Sequence, residues 1–219
     1  YIIANSSASG AVNAESAGGG LVGITRKSII RNSSASGKIV VGEGKAGGLV
    51  SEMLAGSDVI DSSATGDVSA TQIDETRQIN LGGLVGLAQE GNITDSSATG
   101  DVNGIGDNVG GLVGAFGDTS NFDGTLDNSS ASGNVTVTGD YVGGLVGNFN
   151  DESDGLLSNS SASGNVIGDR YVGGLVGESA GTVTVSYATG EVTGETAAGG
   201  LIGNNFGSVK YAYATGDVT

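Results

Sequence analysis

The chain contains no cysteine, no histidine, no proline and no tryptophan. Each absence removes a class of protein. Without cysteine there is no disulfide framework, no thiolate zinc site and no cysteine nucleophile. Without histidine the usual general base is missing, and a Ser-His-Asp triad cannot be assembled. Positive charge is scarce: 8 Lys and Arg stand against 24 Asp and Glu, for a formal net charge of −16. A chain this acidic is repelled by nucleic acid and anionic lipid, so neither is expected as a partner. No apolar run approaches the roughly 18 residues of a spanning helix, so no membrane insertion is expected.

Glycine is abundant, at 43 of 219 residues. It follows no Gly-X-Y period, which excludes a collagen helix. Two motifs alternate instead. One reads Ser-Ser-Ala-Ser/Thr-Gly or Tyr-Ala-Thr-Gly, centred on Ala8, Ala35, Ala64, Ala98, Ala131, Ala162, Ala188 and Ala214. The other reads Gly-Gly-Leu-Val-Gly, with its leucine at Leu21, Leu49, Leu84, Leu112, Leu145, Leu175 and Leu201. Successive alanines lie 26 to 34 residues apart, and the motifs never fall out of order. Internal repetition at such a period is the mark of a stacked array.

Within a unit the pattern is strand-like. In the least decorated stretch, 182–203, Val183 and Val185 alternate with Thr184 and Ser186. Ala188, Gly190 and Val192 then alternate with Thr189, Glu191 and Thr193. Period two is that of a half-buried strand, and recurrent glycine argues against helix. Short strands separated by bends predict an all-β fold: a β-solenoid, in its commonest form a right-handed three-faced parallel β-helix. It would have 26–34 residues per coil and 7–8 coils, with residues 1–219 forming one array. Stacked coils bring like onto like, which favours columns of Ala, Val, Leu and Ile. Proline would remove a ladder hydrogen bond wherever it appeared. Because the sequence starts and stops inside a repeat, it reads as a piece of a longer array.

The alternation of Ser-Tyr-Ala-Thr-Gly-Glu-Val-Thr-Gly (186–194) with Gly-Gly-Leu-Ile-Gly (199–203) resembles the GLUG-motif repeat. Residues 142–147, Val-Gly-Gly-Leu-Val-Gly, look like its signature. Ser51 departs from it by replacing the closing glycine. The resemblance implies a β-solenoid from a secreted or surface-anchored protein, adhesins among them, and an extracellular, cell-surface location. It brings no catalytic residue, and no enzyme is expected.

Four surface features are candidates for function. Ser9, Ser36, Thr65, Thr99, Ser132, Ser163, Thr189 and Thr215 should form one exposed hydroxyl column, with Ser7, Ser34, Ser63, Ser97, Ser130, Ser161, Tyr187 and Tyr213 two residues earlier. A regular hydroxyl grid raises ice binding. The neighbouring column of Lys38, Asp67, Asp101, Asn134, Asn165, Glu191 and Asp217 argues against ice, and a bend before the alanine would turn the earlier serine inward. Enlarged loops at 115–127 and 148–158 carry Asp118, Asp123, Asp127, Asp151, Glu152 and Asp154, a candidate Ca²⁺ cluster of hard oxygen ligands that lacks EF-hand spacing. Solvated acidic loops are the plainer alternative, and no cofactor is required. A third insertion, 69–80, reads as a polar excursion. Five of the eight basic residues (Arg26, Lys27, Arg31, Lys38, Lys45) cluster near Glu15, Glu43 and Glu52, which reads as local charge balancing. Sequons at Asn5, Asn32, Asn92, Asn128, Asn134 and Asn159 are glycan acceptors or a corner ladder with Asp61 and Asp95.

These readings combine into a structural or adhesive segment, a stalk or polyvalent contact module. Its expected partners are adjoining domains of the same long chain and other cell-surface proteins or glycans. The alternative is a ligand-binding solenoid face for ice or polysaccharide, with Tyr141, Tyr171, Tyr187, Tyr211 and Tyr213 as the rings that would stack on sugar.

Overall fold

The computed structural model describes residues 1–71, 78–117, 124–150 and 155–219. Among these there is no helix; every strand pairs in parallel with the equivalent strands of adjacent coils, and the stack forms a β-solenoid of about seven turns. In the first coil the strands are Ile2–Ala4, Ser7–Ala8, Val12–Ala14, Ala17–Gly19 and Val22–Arg26. They begin five ladders that run the length of the stack, called first to fifth here. The third and fourth ladders merge into one sheet because Val166–Gly173 and Val192–Gly199 run through both without a break. Each coil is therefore cut more finely than into three straight faces.

Register follows the motifs. Ala35 pairs with Ala8 and Ala64, and Val50 pairs with Val22 and Val85. Like residues stack because adjacent coils lie about 4.8 Å apart, so a mismatch in size is felt at once by both neighbours.

The alternation expected over 182–194 holds on both sides of a corner, with Ala188, Gly190 and Val192 inside and Thr189, Glu191 and Thr193 outside, but its parity shifts at Val185. Val183 is fully buried, but Val185 is 53% exposed and sits in the left-handed region with φ +47°. The strand ends at Thr184, and the corner reverses the inside–outside parity so that Ser186 is buried. Six other coils place Asn or Asp at this corner with φ between 47° and 52°: Asn5, Asn32, Asp61, Asp95, Asn128 and Asn159. These are the residues that tolerate the left-handed conformation best after glycine.

The interior is not one core but two. One cluster lies behind the first, second and fifth ladders and includes Leu49, Leu84, Leu112, Leu145, Phe116 and Phe149. The other lies behind the third and fourth ladders and consists mostly of valine and isoleucine, such as Ile39, Val102 and Val142. Between them the coil is pinched. The second glycine of Gly-Gly-Leu faces the alanine of Ser-Ala-Ser/Thr-Gly across the waist. A Cβ on Gly48 would lie 2.7 Å from the Ala64 Cβ, and one on Gly111 would lie 3.0 Å from that of Ala131. The same Cβ on Gly111 would come within 2.2 Å of the Gly144 carbonyl oxygen in the next coil. Each motif thus fixes the other's composition, which is why the two stay in strict alternation. Ser51 fits because its hydroxyl donates to the Lys45 carbonyl at 2.8 Å.

Candidate functional site

Ser9, Ser36, Thr65, Thr99, Ser132, Ser163, Thr189 and Thr215 are all exposed, one per coil, between the second and third ladders. Their backbone N–H groups are tied down, for example Thr99 N–H to the Ala64 carbonyl and Ser132 N–H to that of Ala98, both at 3.0 Å. Their side chains are left to solvent. The column beside them does a structural job that composition alone did not reveal. The side chains of Asp67, Asp101, Asn134 and Asn165 each accept the backbone N–H of the next coil, at Asp101, Asn134, Asn165 and Glu191, at 2.8–3.0 Å. The carboxylates and amides replace the carbonyl that a continuous ladder would supply.

The bend before the alanine does turn a serine inward, but one residue earlier than the column named above. Ser33, Ser62, Ser96, Ser129, Ser160 and Ser186 are buried, while Ser34, Ser63, Ser97 and Ser161 stay partly exposed. Each buried hydroxyl donates to a carbonyl two residues back and accepts the serine N–H of the preceding coil. Ser160 Oγ, for instance, lies 2.6 Å from the Ser158 carbonyl oxygen and 3.1 Å from Ser129 N. Buried polar groups need such partners, and the column ends at Ala212. The sequence signal was the doubled serine: one member faces out and the other faces in.

Of the candidate Ca²⁺ ligands, Asp118, Asp123, Asp151, Glu152 and Asp154 lie outside the described residues. The loops themselves are shorter than the spacing implied. Val113–Phe116 and Val146–Phe149 are strands with fully buried Phe116 and Phe149, and Thr125–Asp127 and Leu156–Ser158 are strands with buried Leu126 and Leu157. Asp127 is committed to protein partners: Ser158 Oγ at 2.5 Å and Asn159 Nδ2 at 2.8 Å. These two hydrogen bonds hold its carboxyl below the usual range. The 69–80 insertion likewise starts and ends in strands, Val68–Ala70 and Asn80–Gly82, with 72–77 outside the described residues.

The N-terminal charge cluster contributes one close ion pair among the described residues, Lys45 Nζ to Glu52 Oε2 at 3.3 Å. Asn5, Asn32, Asn128 and Asn159 share one left-handed corner with Asp61 and Asp95. Asn128 and Asn159 spend their amide nitrogens on Asp95 and Asp127 of the preceding coil. The tyrosines pair rather than forming one stripe. Tyr141 stacks on Tyr171 with centroids 5.4 Å apart, and Tyr187 on Tyr213 at 5.3 Å. Tyr211 is exposed at a left-handed corner. Burial, then the nearby Glu178 charge, raises the Tyr141 hydroxyl above its ordinary value.

A feature missed by the residue pattern is a cleft of about 890 Å³ between the fourth and fifth ladders, on the outside of the waist. The fourth ladder contributes Lys45, Asn80 and Asn108, and the fifth contributes Glu52, Leu87, Ala115 and Asn148. Asn148 Nδ2 donates to Asn108 Oδ1 at 3.2 Å, and Asn108 Nδ2 donates to Asn80 Oδ1 at 2.7 Å, which makes an amide chain across coils. Asn80 and Asn108 are each 3% exposed. Asn148 Oδ1 is buried and accepts no hydrogen bond among the described residues.

Fold and surface together define a parallel β-solenoid repeat protein. Residues 14–40, 78–103, 138–167 and 194–219 match the sequence profile of the GLUG motif, together about half the chain. The chain is a GLUG-motif repeat protein. The matches fall on alternate coils. The coils between carry the same motif pairs, Leu49 with Ala64, Leu112 with Ala131 and Leu175 with Ala188, in the same ladders. No curated protein matches the chain.

Proposed function

We propose that this array is a non-catalytic segment of a protein outside the cell, a stalk whose faces make many weak contacts with neighbouring surface proteins or glycans. The observation that carries this reading is the exposed hydroxyl column, which offers the same group once per coil on a backbone fully tied into ladders. Identical weak sites at fixed spacing on a stiff scaffold gain strength through multiplicity rather than through any single contact. Mutual like-charge repulsion at −16 keeps the bare rods apart in solution. It also directs them to neutral or basic surfaces.

The test is adhesion of beads carrying the array at graded density to cell-wall-coated glass under flow. Retention is expected to rise more steeply than in proportion to density. It should fall when Thr65, Thr99 and Thr189 are replaced together by tyrosine, whose rings break the flatness of the face. Retention no better than that of albumin-coated beads at every density would refute the contact role. A solution of the protein should show no thermal hysteresis, because Asp67 and Asp101 hold hydration beside the column. A hysteresis gap abolished by the same three substitutions would replace this reading with ice binding.

A further inference from the structure

We propose that the cleft between the fourth and fifth ladders is a binding site for a neutral polysaccharide laid along the solenoid axis. The proposal rests on the contact role above and gives it a ligand class.

The cleft is built where the repeat stops being regular. Around most of the coil like stacks on like, yet the outward column of the fourth ladder reads Lys45, Asn80, Asn108, Tyr141 and Tyr171 in successive coils. Opposite it the fifth ladder reads Glu52, Leu87, Ala115, Asn148 and Glu178. Stacking alone would favour repetition here as it does elsewhere, so the variety in these two columns is not explained by the fold.

The chemistry of the walls selects the occupant. Asn108 spends its carbonyl and one amide N–H within the chain, which leaves the Asn148 Oδ1 acceptor and the remaining amide N–H groups of Asn80 and Asn148 to meet a sugar hydroxyl that both donates and accepts. Asn80 and Asn108 are held by the amide chain, so their orientation is fixed before any ligand arrives. Such preorganisation lowers the cost of binding. The buried Asn148 Oδ1 is an acceptor left without a donor. The charges near the mouth are paired, Lys45 with Glu52, which leaves no net field to draw a polyanion, and the whole chain repels one. An extended peptide is a poor fit for a different reason. The walls are ladder strands whose backbone groups pair with neighbouring coils, so no free edge is available for strand addition.

Dimensions agree. The cleft spans from Ala17 and Ile24 to Asn148 and Asn150, that is, over five successive coils. At about 4.8 Å per coil, the step is close to the length of one pyranose ring along an extended glycan. At Asn150 the cleft meets a second hollow of about 340 Å³ lined by Glu178, Ala180 and Phe206. On the fourth-ladder side of this end lies the stacked Tyr141–Tyr171 pair, with the Arg170 guanidinium 5.0 Å from the Tyr171 ring. Aromatic rings at the end of a hydrogen-bonding cleft offer apolar faces to the C–H side of a sugar.

The experiment is native affinity electrophoresis of the whole chain in gels containing laminarin, xylan, glucomannan or dextran, with alginate as the polyanion control. Isothermal titration with the matching hexasaccharide then gives the affinity. At least one neutral polymer should retard the protein, and alginate should not. Ala115→Trp, which plugs the cleft without removing a buried polar group, should weaken the hexasaccharide by about tenfold or more. Tyr171→Ala should weaken it less. Both variants are expected to keep the wild-type far-UV spectrum, and Thr99→Tyr on the hydroxyl face should leave the affinity unchanged. No retardation by any of the four neutral polymers overturns the proposal. So does retardation that survives Ala115→Trp in a folded variant, or retardation by alginate alone. Bead adhesion that persists when Ala115→Trp abolishes glycan binding leaves the contact role standing and removes the cleft from it. Glycan binding by a protein whose beads do not adhere does the reverse.

Discussion

Replacing Gly111 by alanine should damage the fold far more than a single methyl normally does, and the geometry says by how much. The new Cβ would lie 2.2 Å from the Gly144 carbonyl oxygen and 3.0 Å from the Ala131 Cβ. Carbon and oxygen rest at roughly 3.4 Å, so the adjoining coils must part locally by about 1 Å. Three ladder hydrogen bonds cross that gap: Gly111 N–H to Gly143, and Leu112 and Val113 N–H to Leu145, at 3.2, 2.9 and 3.0 Å. Stretched by that amount they pass beyond hydrogen-bonding distance, and each buried group left unpaired costs about 1–3 kcal/mol. The sum is roughly 3–9 kcal/mol, a large part of an ordinary domain's stability. Gly23 supplies the control, since a Cβ there meets nothing within 4 Å. Gly23→Ala should stabilise slightly, by about 0.5 kcal/mol, through the unfolded chain. Gly200→Ala should fall between the two, its nearest contact being the Ala214 Cβ at 3.2 Å. Urea unfolding followed by far-UV circular dichroism measures all three. If Gly111→Ala lies within 1 kcal/mol of wild type, or if Gly23→Ala is equally harmful, the interlocked waist does not hold the coils as described.

Three further outcomes follow from the corners and columns. Ser160→Ala removes the acceptor of the buried Ser129 N–H and should destabilise by about 1–3 kcal/mol; Ser161→Ala, partly exposed, should change stability by less than about 0.5 kcal/mol, and equal effects in urea would refute the inward assignment. Val185→Asn places a residue tolerant of the left-handed region where a β-branched one now sits at φ +47°, and should raise stability by up to about 1 kcal/mol; a lower melting temperature would show that the corner is unstrained. The Asp127 carboxyl, held below its ordinary value by Ser158 and Asn159, contributes stability that is fully present above the unfolded-chain value near pH 4 and is lost as pH falls through the depressed folded value. Asp127→Asn should therefore flatten the acid limb of a melting-temperature profile, and an unchanged limb would count against the two hydrogen bonds.

The ladders were legible in the sequence because stacking leaves a periodic trace. Ala35, Ala64 and Ala98 announce one column and Leu49, Leu84 and Leu112 another, at a spacing no chance pattern produces. The corner was legible only in part. Asn, Asp, Asp and Asn at 32, 61, 95 and 128 mark the left-handed bend, but the valine at 185 hid it in the one stretch where alternation looked cleanest. The two cores were not legible, since a run of inward residues does not say which side of a waist it lines. The cleft was invisible for a related reason: Asn108 and Asn148 are 40 residues apart, on ladders that meet only after the chain reverses at Gly-Gly-Leu. The doubled serine concealed its own division of labour, because Ser160 and Ser161 are chemically identical and differ only in which way the bend points them.

All the ladder hydrogen bonds run along the stacking axis, and this gives the molecule a mechanical character. A pull on its two ends along that axis does not shear many bonds at once. It loads them coil by coil, like a zip opened from one end. A detached coil of about 26 residues can lengthen from one step of roughly 5 Å to nearly 90 Å of extended chain. Under tension such an array acts as an extensible tether that lengthens in equal increments and recoils as each coil re-docks on the template of the one beneath.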